Sequence, residues 1–396
     1  MDLLLGIGQS IMICEGLHIK KDEYFSKNSV QQKRILIVDN STEITGAYNS
    51  ILTFSNALKE EVSFHFAISS KKHFDELNSK GFTPHLVDFL EIQKSWKVMF
   101  YLPVLLWNSY KILKIVRKHH IDLIHVNDLY NLTGVILKIF KFQIPVVYHV
   151  RLLPNSYIRK IFKLLSKLVM RYSDKVICVS KTVFKALPES SKKIIIHDAV
   201  LVTRNQLQSN KDNTFSFLFP ANFIRGKGQN YALKAFYEEF KKSEKVKLLF
   251  AGGNMGLEAN RLYKAELQKF VKENNRSHQI EFLDFVSNMP EMYCKSDVSL
   301  VFSDSESFSM VTLESMVHGT PVIATKCGGP EEIITHNYNS ILVNKADIEQ
   351  MRFQMRNLYE NKDVLNELGG RSKLITEQFK IENTIGKLSQ LYSSIC

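Results

Sequence analysis

Cysteine is scarce in this chain. The 396 residues hold five, Cys14, Cys178, Cys294, Cys327 and Cys396, and no two stand in a CxxC or Cys/His pattern. That argues against a disulfide framework or a zinc site, and suits scattered thiols in a reducing compartment. Nine prolines, seventeen glycines and no repeated tract exclude collagen-like, mucin-like and long low-complexity segments. No stretch approaches the roughly 18 consecutive apolar residues of a membrane-spanning helix. The N-terminal run MDLLLGIGQSIMIC carries an acid and no base ahead of its apolar part. It makes a poor secretory signal, so a cytoplasmic location is expected.

What is present is an ordinary globular composition, 45% hydrophobic and 23% charged. The length favours two cores over one, because single cores stop growing at roughly 250–300 residues. Charge is uneven. Residues 1–200 hold 28 Lys and Arg against 17 Asp and Glu, whereas residues 201–396 hold 24 against 23. Almost all of the net +12 therefore sits in the first half, which predicts that this half faces an anionic partner: a phospholipid surface, a phosphorylated acceptor or nucleic acid.

The hydrophobic pattern reads as α/β. Apolar runs at 35–38, 64–68, 123–126, 146–150 and 175–179 alternate with helical stretches such as 48–59. Continuous apolar runs between helices are the signature of a parallel sheet covered on both faces. The polar stretch 205–213 (NQLQSNKDN) has no apolar periodicity and reads as a linker. The pattern then restarts, with strands at 215–219, 246–251, 280–283, 298–302 and 321–324 and helices between them. The expected organisation is an N-terminal extension (1–33), a first doubly wound Rossmann-like domain (34–204), the linker, and a second such domain (214–375). A C-terminal helical segment (376–396) completes the chain, able to pack back on the first domain. In such sheets ligands bind at the carboxyl ends of the strands, here in the cleft between domains.

Chemistry concentrates in SDSESFSMVTLESMVHGTPVIATKCGGPEE, residues 303–332. A buried strand gives way to a polar loop and then to a helix starting near Val311. Glu306 lies in the loop and Glu314, eight residues on, in the first helical turn. The amides of Ser309, Met310 and Val311 fall at the helix N-terminus, a natural anion site for a diphosphate. Two carboxylates flanking a phosphate site would repel phosphate, so they suit sugar hydroxyls on either side of it. Upstream, PANFIRGKG places Arg225 and Lys227 between a strand and a helix, where they can neutralise a diphosphate, and Gly228 permits close backbone approach.

Residues 303–332 resemble the donor-site signature of the retaining GT-B glycosyltransferases, the group 1 or family 4 class. The matching parts are the Glu306/Glu314 spacing, the strand at 321–324, and the turn Gly328, Gly329, Pro330, Glu331. Ser309 stands where that family usually has glycine. The resemblance implies that Glu306 contacts the donor sugar, Glu314 the nucleotide ribose, and Arg225 and Lys227 the diphosphate. It also implies base contact near Phe285, although Asp284 replaces the usual glycine beside it. In the first half, the turn around Gly46 has one glycine fewer than the family's loop. His125 matches the family's strand ending in two histidines, with Asn127 in the second place. His149 matches the strand that delivers a histidine to the donor sugar. The likeness spans about residues 34–375, tight in the second half and loose in the first.

The resemblance further implies retaining transfer of a sugar from a nucleotide-diphosphate donor, UDP- or GDP-linked by class frequency, to a glycan or lipid-linked acceptor. Cell-surface polysaccharide assembly (lipopolysaccharide, capsule or related glycans) is the expected setting. No Asp-x-Asp pair stands after an apolar strand and cations already occupy the phosphate site, so no metal and no resident cofactor are expected. The rival enzymatic reading is a GT-B-fold sugar-nucleotide epimerase or phosphorylase. The non-enzyme rival is a basic nucleic-acid-binding protein. Against that rival, the basic residues are not interleaved with stacking aromatics and no helix-turn-helix pattern is present, so nucleic acid is not an expected partner. A helical wheel of residues 157–172 puts Arg159, Lys160, Lys163, Lys167 and Arg171 opposite an apolar face. A second basic and apolar stretch, 96–120, surrounds Trp107 and Tyr110. Either these faces are merely solvated, or Lys160, Lys163 and Lys167 meet an anionic membrane surface or acceptor, which predicts peripheral attachment to the cytoplasmic face.

Overall fold

The computed structural model describes residues 32–41, 45–90, 101–127, 129–154, 158–200 and 214–396. The expected extension (but for its last two residues), the linker at 205–213, Trp96 and Asp128 lie outside the described residues.

The first half alternates β1 (Lys33–Asp39), α1 (Gly46–Leu58), β2 (Val62–Ile68), α2 (Lys71–Ser79) and β3 (Thr83–Leu86). Next come α3 (Tyr101–His119), β4 (Leu123–Val126), α4 (Thr133–Ile139), β5 (Val146–Val150) and α5 (Arg159–Tyr172). β6 (Lys175–Cys178), α6 (Lys181–Ala186) and β7 (Lys193–Ile195) complete it. The second half runs β8 (Phe215–Pro220), α7 (Gln229–Phe240), β9 (Val246–Ala251), α8 (Glu258–Glu273), β10 (Ile280–Leu283), α9 (Met289–Lys295) and β11 (Val298–Val301). It continues with α10 (Met310–Val317), β12 (Val322–Thr325), α11 (Pro330–Ile333), β13 (Ile341–Val343), α12 (Ile348–Glu360), α13 (Lys362–Ser372) and α14 (Ile381–Ile395).

The strands form a seven-stranded sheet, β3-β2-β1-β4-β5-β6-β7, and a six-stranded sheet, β10-β9-β8-β11-β12-β13. The pairings described are parallel, for example Ile35 opposite Leu123 and Phe217 opposite Leu248. The central strands are largely apolar because helices cover both faces: β4, β5, β11 and β12 are buried at every position. Each sheet reverses its strand order once, between β1 and β4 and between β8 and β11. Loops after these strands splay apart and leave the crevice in which doubly wound proteins bind ligands.

On one face of the first sheet, α1 and α14 bury Ile51, Phe54, Leu388, Leu391 and Tyr392 against Ile35, Ile37 and Val147. The C-terminal helix thus lies on the first sheet, and Thr384 Oγ1 donates to the His197 carbonyl at 2.9 Å. On the other face, α3, α4 and α5 supply Leu105, Ile112, Val135, Phe162, Leu165 and Val169. Local chemistry sets the helix starts: Thr45, Ser70 and Ser180 accept from backbone amides three residues on and cap α1, α2 and α6. No helix among the described residues is long and apolar enough to cross a membrane.

Candidate active site

A cavity of about 530 Å³ lies where the carboxyl ends of the two sheets meet. From the first sheet its lining includes Asp39, Gly46, Asn127, Arg151 and Asp198; from the second, Lys227, Ser303, Glu306 and residues 307–311.

The second-sheet wall is built around one ion pair. Glu306 Oε1 accepts from Lys227 Nζ at 2.7 Å and from Ser303 Oγ at 2.7 Å. The Glu306 carboxylate raises the pKa of the Lys227 ammonium, more than offsetting the opposite effect of burial. The glycine turn holds Glu306 in place. Its amide donates to the Cys327 carbonyl at 3.2 Å, and its carbonyl accepts from the Gly329 amide at 2.8 Å. A Cβ at Gly329 would strike the Phe308 backbone, so the turn has room only for glycine. Lys227 is fixed in a comparable way: Gly228, at φ +89°, lies so close to the Phe302 carbonyl that any side chain would collide with it.

Ser309, Met310 and Val311 line the same wall, at the N-terminal end of α10. Ser309 has φ +76° and ψ +69°, the left-handed conformation that favours glycine, and its hydroxyl lies 2.7 Å from that of Thr312. The serine therefore keeps the backbone path that glycine would take. Glu314 falls in the second turn of α10, not the first, since the helix begins at Met310. It does not line the main cavity. It borders a smaller one of about 100 Å³ with Gly46, Ser50 and Met310, and its Oε2 accepts from the Tyr293 hydroxyl at 3.0 Å. Burial raises its pKa.

Besides Glu314, four expected site residues lie away from the cavity lining: Arg225, Phe285, His149 and His125. Arg225 is exposed, ion-paired to Glu266 and placed over the Tyr263 ring. Phe285 stands on the surface after β10, beyond the lining, while Asp284 accepts from Lys264 at 2.7 Å. His149 is buried behind the cavity wall. β5 ends at Val150, so the side chain that reaches the lining is Arg151, just past the strand, and His149 sits one pleat further in. His149 Nδ1 is 3.2 Å from His125 Nε2, and His125 Nδ1 shares a 2.8 Å hydrogen bond with the Tyr392 hydroxyl. Burial, reinforced by Arg151, pushes the His125 pKa down to about 3 and that of His149 well below its usual value. Both rings are neutral across the physiological range, and the pair joins β4, β5 and α14.

Of the first-sheet wall, sequence reasoning named Gly46, which lines the cavity, but gave no role to Asp39, Asn127, Arg151 or Asp198. Arg151 pairs with Asp198 and donates from Nε to Asn127 Oδ1 at 2.9 Å, while Asn127 donates to Asp39 Oδ1 at 3.3 Å. Asp39 ends β1 and Asn127 comes directly after β4, so an acid or amide just past an apolar run was their one available signal. Asp198 comes after a three-residue strand that carries no such signal.

Lys160, Lys163 and Lys167 are exposed on α5 with Arg159 and Arg171, while Phe162, Leu165 and Val169 are buried beneath them. Ile158, which falls on the apolar side of the wheel of residues 157–172, is 45% exposed and lies just ahead of α5. Among the described residues, no group of three or more His, Cys, Asp or Glu side chains is arranged to hold a metal ion.

Two family models match. One described as "Glycosyl transferases group 1" covers residues 202–374, and one described as "Glycosyltransferase Family 4" covers residues 44–196. The chain is 30% identical over 357 residues to an uncharacterized glycosyltransferase of Methanocaldococcus jannaschii, covering 87% of this chain and 94% of the relative. It is 29% identical over 128 residues to N-acetyl-alpha-D-glucosaminyl L-malate synthase of Bacillus anthracis, 32% of this chain and 34% of that protein. In fold it resembles Anabaena HepE, whose crystal structure contains UDP and glucose. The TM-score is 0.77 at 20% identity, over 92% of this chain and 100% of that one.

Proposed function

Because the chain belongs to the group 1 and family 4 glycosyltransferases of the GT-B fold, we propose that it transfers a sugar, with retention, from a UDP- or GDP-linked donor to a glycan or lipid-linked acceptor. The observation that carries this reading is the Lys227–Glu306 pair beside the N-terminus of α10. Binding of a donor lets its diphosphate compete for Lys227, which leaves Glu306 Oε1 to accept from a hydroxyl of the sugar. The anomeric carbon–oxygen bond to the diphosphate breaks, a bond to the acceptor oxygen forms, and the acceptor proton leaves with the diphosphate. Lys227 and the amides of Ser309–Val311 stabilise the charge that develops on the leaving group. Fixed cationic and amide charge at that position removes the need for a metal. Glu314 contacts the ribose after a local shift of α1 against α10, and Arg225 joins the diphosphate by leaving Glu266.

In this reading residues 34–204 take the acceptor, residues 214–375 hold the donor, and His149 orients the wall through Arg151 rather than touching sugar. Cell-surface polysaccharide assembly supplies the setting, with the basic face of α5 against the cytoplasmic leaflet. Lys227→Ala and Glu306→Ala test the site. Each lowers transfer from the native donor by about 10²–10³-fold with the melting temperature preserved. Wild-type rates in both variants would refute the assignment. Nucleotide release with no glycosylated acceptor, or sugar released onto inorganic phosphate, would favour the epimerase or phosphorylase reading.

A further inference from the structure

α3, α4 and α5 together carry ten Lys and Arg side chains (four, one and five) and not one Asp or Glu. They form one layer, since their inner faces pack into a single core over the first sheet. Its outer surface is also unusually apolar. On α3, Leu102 is 59%, Trp107 57% and Tyr110 46% exposed, with Leu106 beside them; Phe140 at the end of α4 and Leu164 on α5 are exposed too. The outward side of α3 is a solvent face by its own packing, because Leu105, Asn108, Ser109 and Ile112 fill the inner side. Scattered exposed leucines need no explanation, but four large apolar side chains within nine residues of one helix face do. Lysines lie over the exposed aromatic rings: Lys114 Nζ is 4.6 Å from the Tyr110 centroid and Lys111 Nζ 6.0 Å from that of Trp107.

Charge and apolarity together select the partner. A nucleic acid would pair with the cations but leave Leu102, Leu106 and Leu164 without a role. A protein interface core is depleted in lysine. An anionic bilayer uses both: lysine and arginine are drawn to its charged surface, while tryptophan, tyrosine and leucine enter the headgroup boundary. We propose that α3 is a membrane-inserting helix which, with α4 and α5, seats the protein on an anionic lipid surface.

Orientation is set by the fold. In a parallel sheet the helices begin at the carboxyl ends of the strands. The Tyr101 hydroxyl, at the start of α3, donates at 2.9 Å to the Tyr130 carbonyl in the loop after β4. Leu102, Leu106 and Trp107 therefore stand at the edge of the layer nearest the cavity. A lipid-linked acceptor can keep its tail in the bilayer while its head reaches the site. The inference rests on the membrane-bound reading above and adds insertion to electrostatic contact.

The test uses the full chain, Trp96→Phe so that Trp107 is the sole tryptophan, and vesicles of phosphatidylcholine with or without 30% phosphatidylglycerol. Expected are co-sedimentation with the anionic vesicles only, a blue shift of Trp107 emission, and its quenching by brominated acyl chains. Leu106→Ser with Trp107→Ser lowers vesicle binding at least tenfold while leaving the melting temperature and any UDP- or GDP-induced shift unchanged. Binding without quenching, abolished by Lys160→Glu with Lys163→Glu and Lys167→Glu, would overturn insertion and leave the electrostatic reading standing. Absence of binding, or equal binding to neutral vesicles, would overturn both. Tight binding of a 30-base-pair DNA duplex at physiological salt, competing with vesicles, would overturn the choice of partner.

Discussion

Ser309 shows how one residue can depart from a pattern and still keep its geometry. A non-glycine side chain in the left-handed region costs roughly 1–2 kcal/mol, and here the Thr312 hydroxyl and the buried surroundings hold it. Ser309→Gly should therefore retain transfer and remain within about 1 kcal/mol of wild-type stability in urea melts. Ser309→Val, whose branched Cβ fits that region worst, should lose about 2 kcal/mol and most activity. Loss of activity in Ser309→Gly would mean that the hydroxyl, not the backbone path, matters. At this scale the sequence was most legible where a short strand–loop–helix segment carries the residue: Glu306 and residues 309–311 come from one such segment and Lys227 from another, and they share one wall. It was least legible where position depends on the strand's end. His149 and Arg151 are two residues apart, and only the length of β5 determines which one reaches the cavity.

Elements were readable when they were long and apolar. The central strands β1, β4, β5, β8, β9 and β11 fall where continuous hydrophobic runs put them. The edge strand β3 (TPHL) is half-exposed and carries a proline, and β7 and β13 have three residues each, so no run announces them. The C-terminal helix α14 has the periodicity of any surface helix, but its destination is set by tertiary contacts. Tyr392 reaches down to His125, and Leu388 is fully buried beside α1. Tyr392→Phe leaves a buried imidazole nitrogen without its hydroxyl and should cost about 1–3 kcal/mol in chemical denaturation. Leu388→Ala should cost about 2–5 kcal/mol through the cavity it opens. If neither change alters stability, α14 is a loosely held appendage rather than part of the first core.

Across the whole molecule, one carboxylate from the second sheet clasps the first. Glu332 on α11 accepts from the Lys181 and Thr182 amides, both at 2.8 Å, and from the Thr182 hydroxyl, and it pairs with His197 at 3.4 Å. Phe308, leading into α10, stacks on the same His197 ring. Burial alone would raise the pKa of Glu332, but the nearby His197 ring and the hydrogen bonds from Lys181 and Thr182 outweigh it and hold the pKa below the ordinary value. With a depressed folded pKa, the stabilisation is fully present above the unfolded value near 4.3 and is lost as pH falls through the folded one. Glu332→Gln should lower stability at pH 7 by about 1–2 kcal/mol and flatten the decline below about pH 4.5, read from melts across pH. An unchanged acid limb would show that the clasp does not bind the sheets together. No local pattern in the sequence distinguishes Glu332 from its neighbour Glu331, because the amides it caps lie about 150 residues away.

Nucleotide-dependent thermal shift, run with UDP, GDP and ADP on the wild type and on Lys227→Ala, tests the assignment of the cavity most directly. One nucleotide should raise the wild-type stability by about 2.7 kcal/mol at 100 times its dissociation constant, and the shift should vanish in Lys227→Ala. No shift with any nucleotide, or an equal shift in the variant, would contradict a diphosphate-binding site between Lys227 and the start of α10.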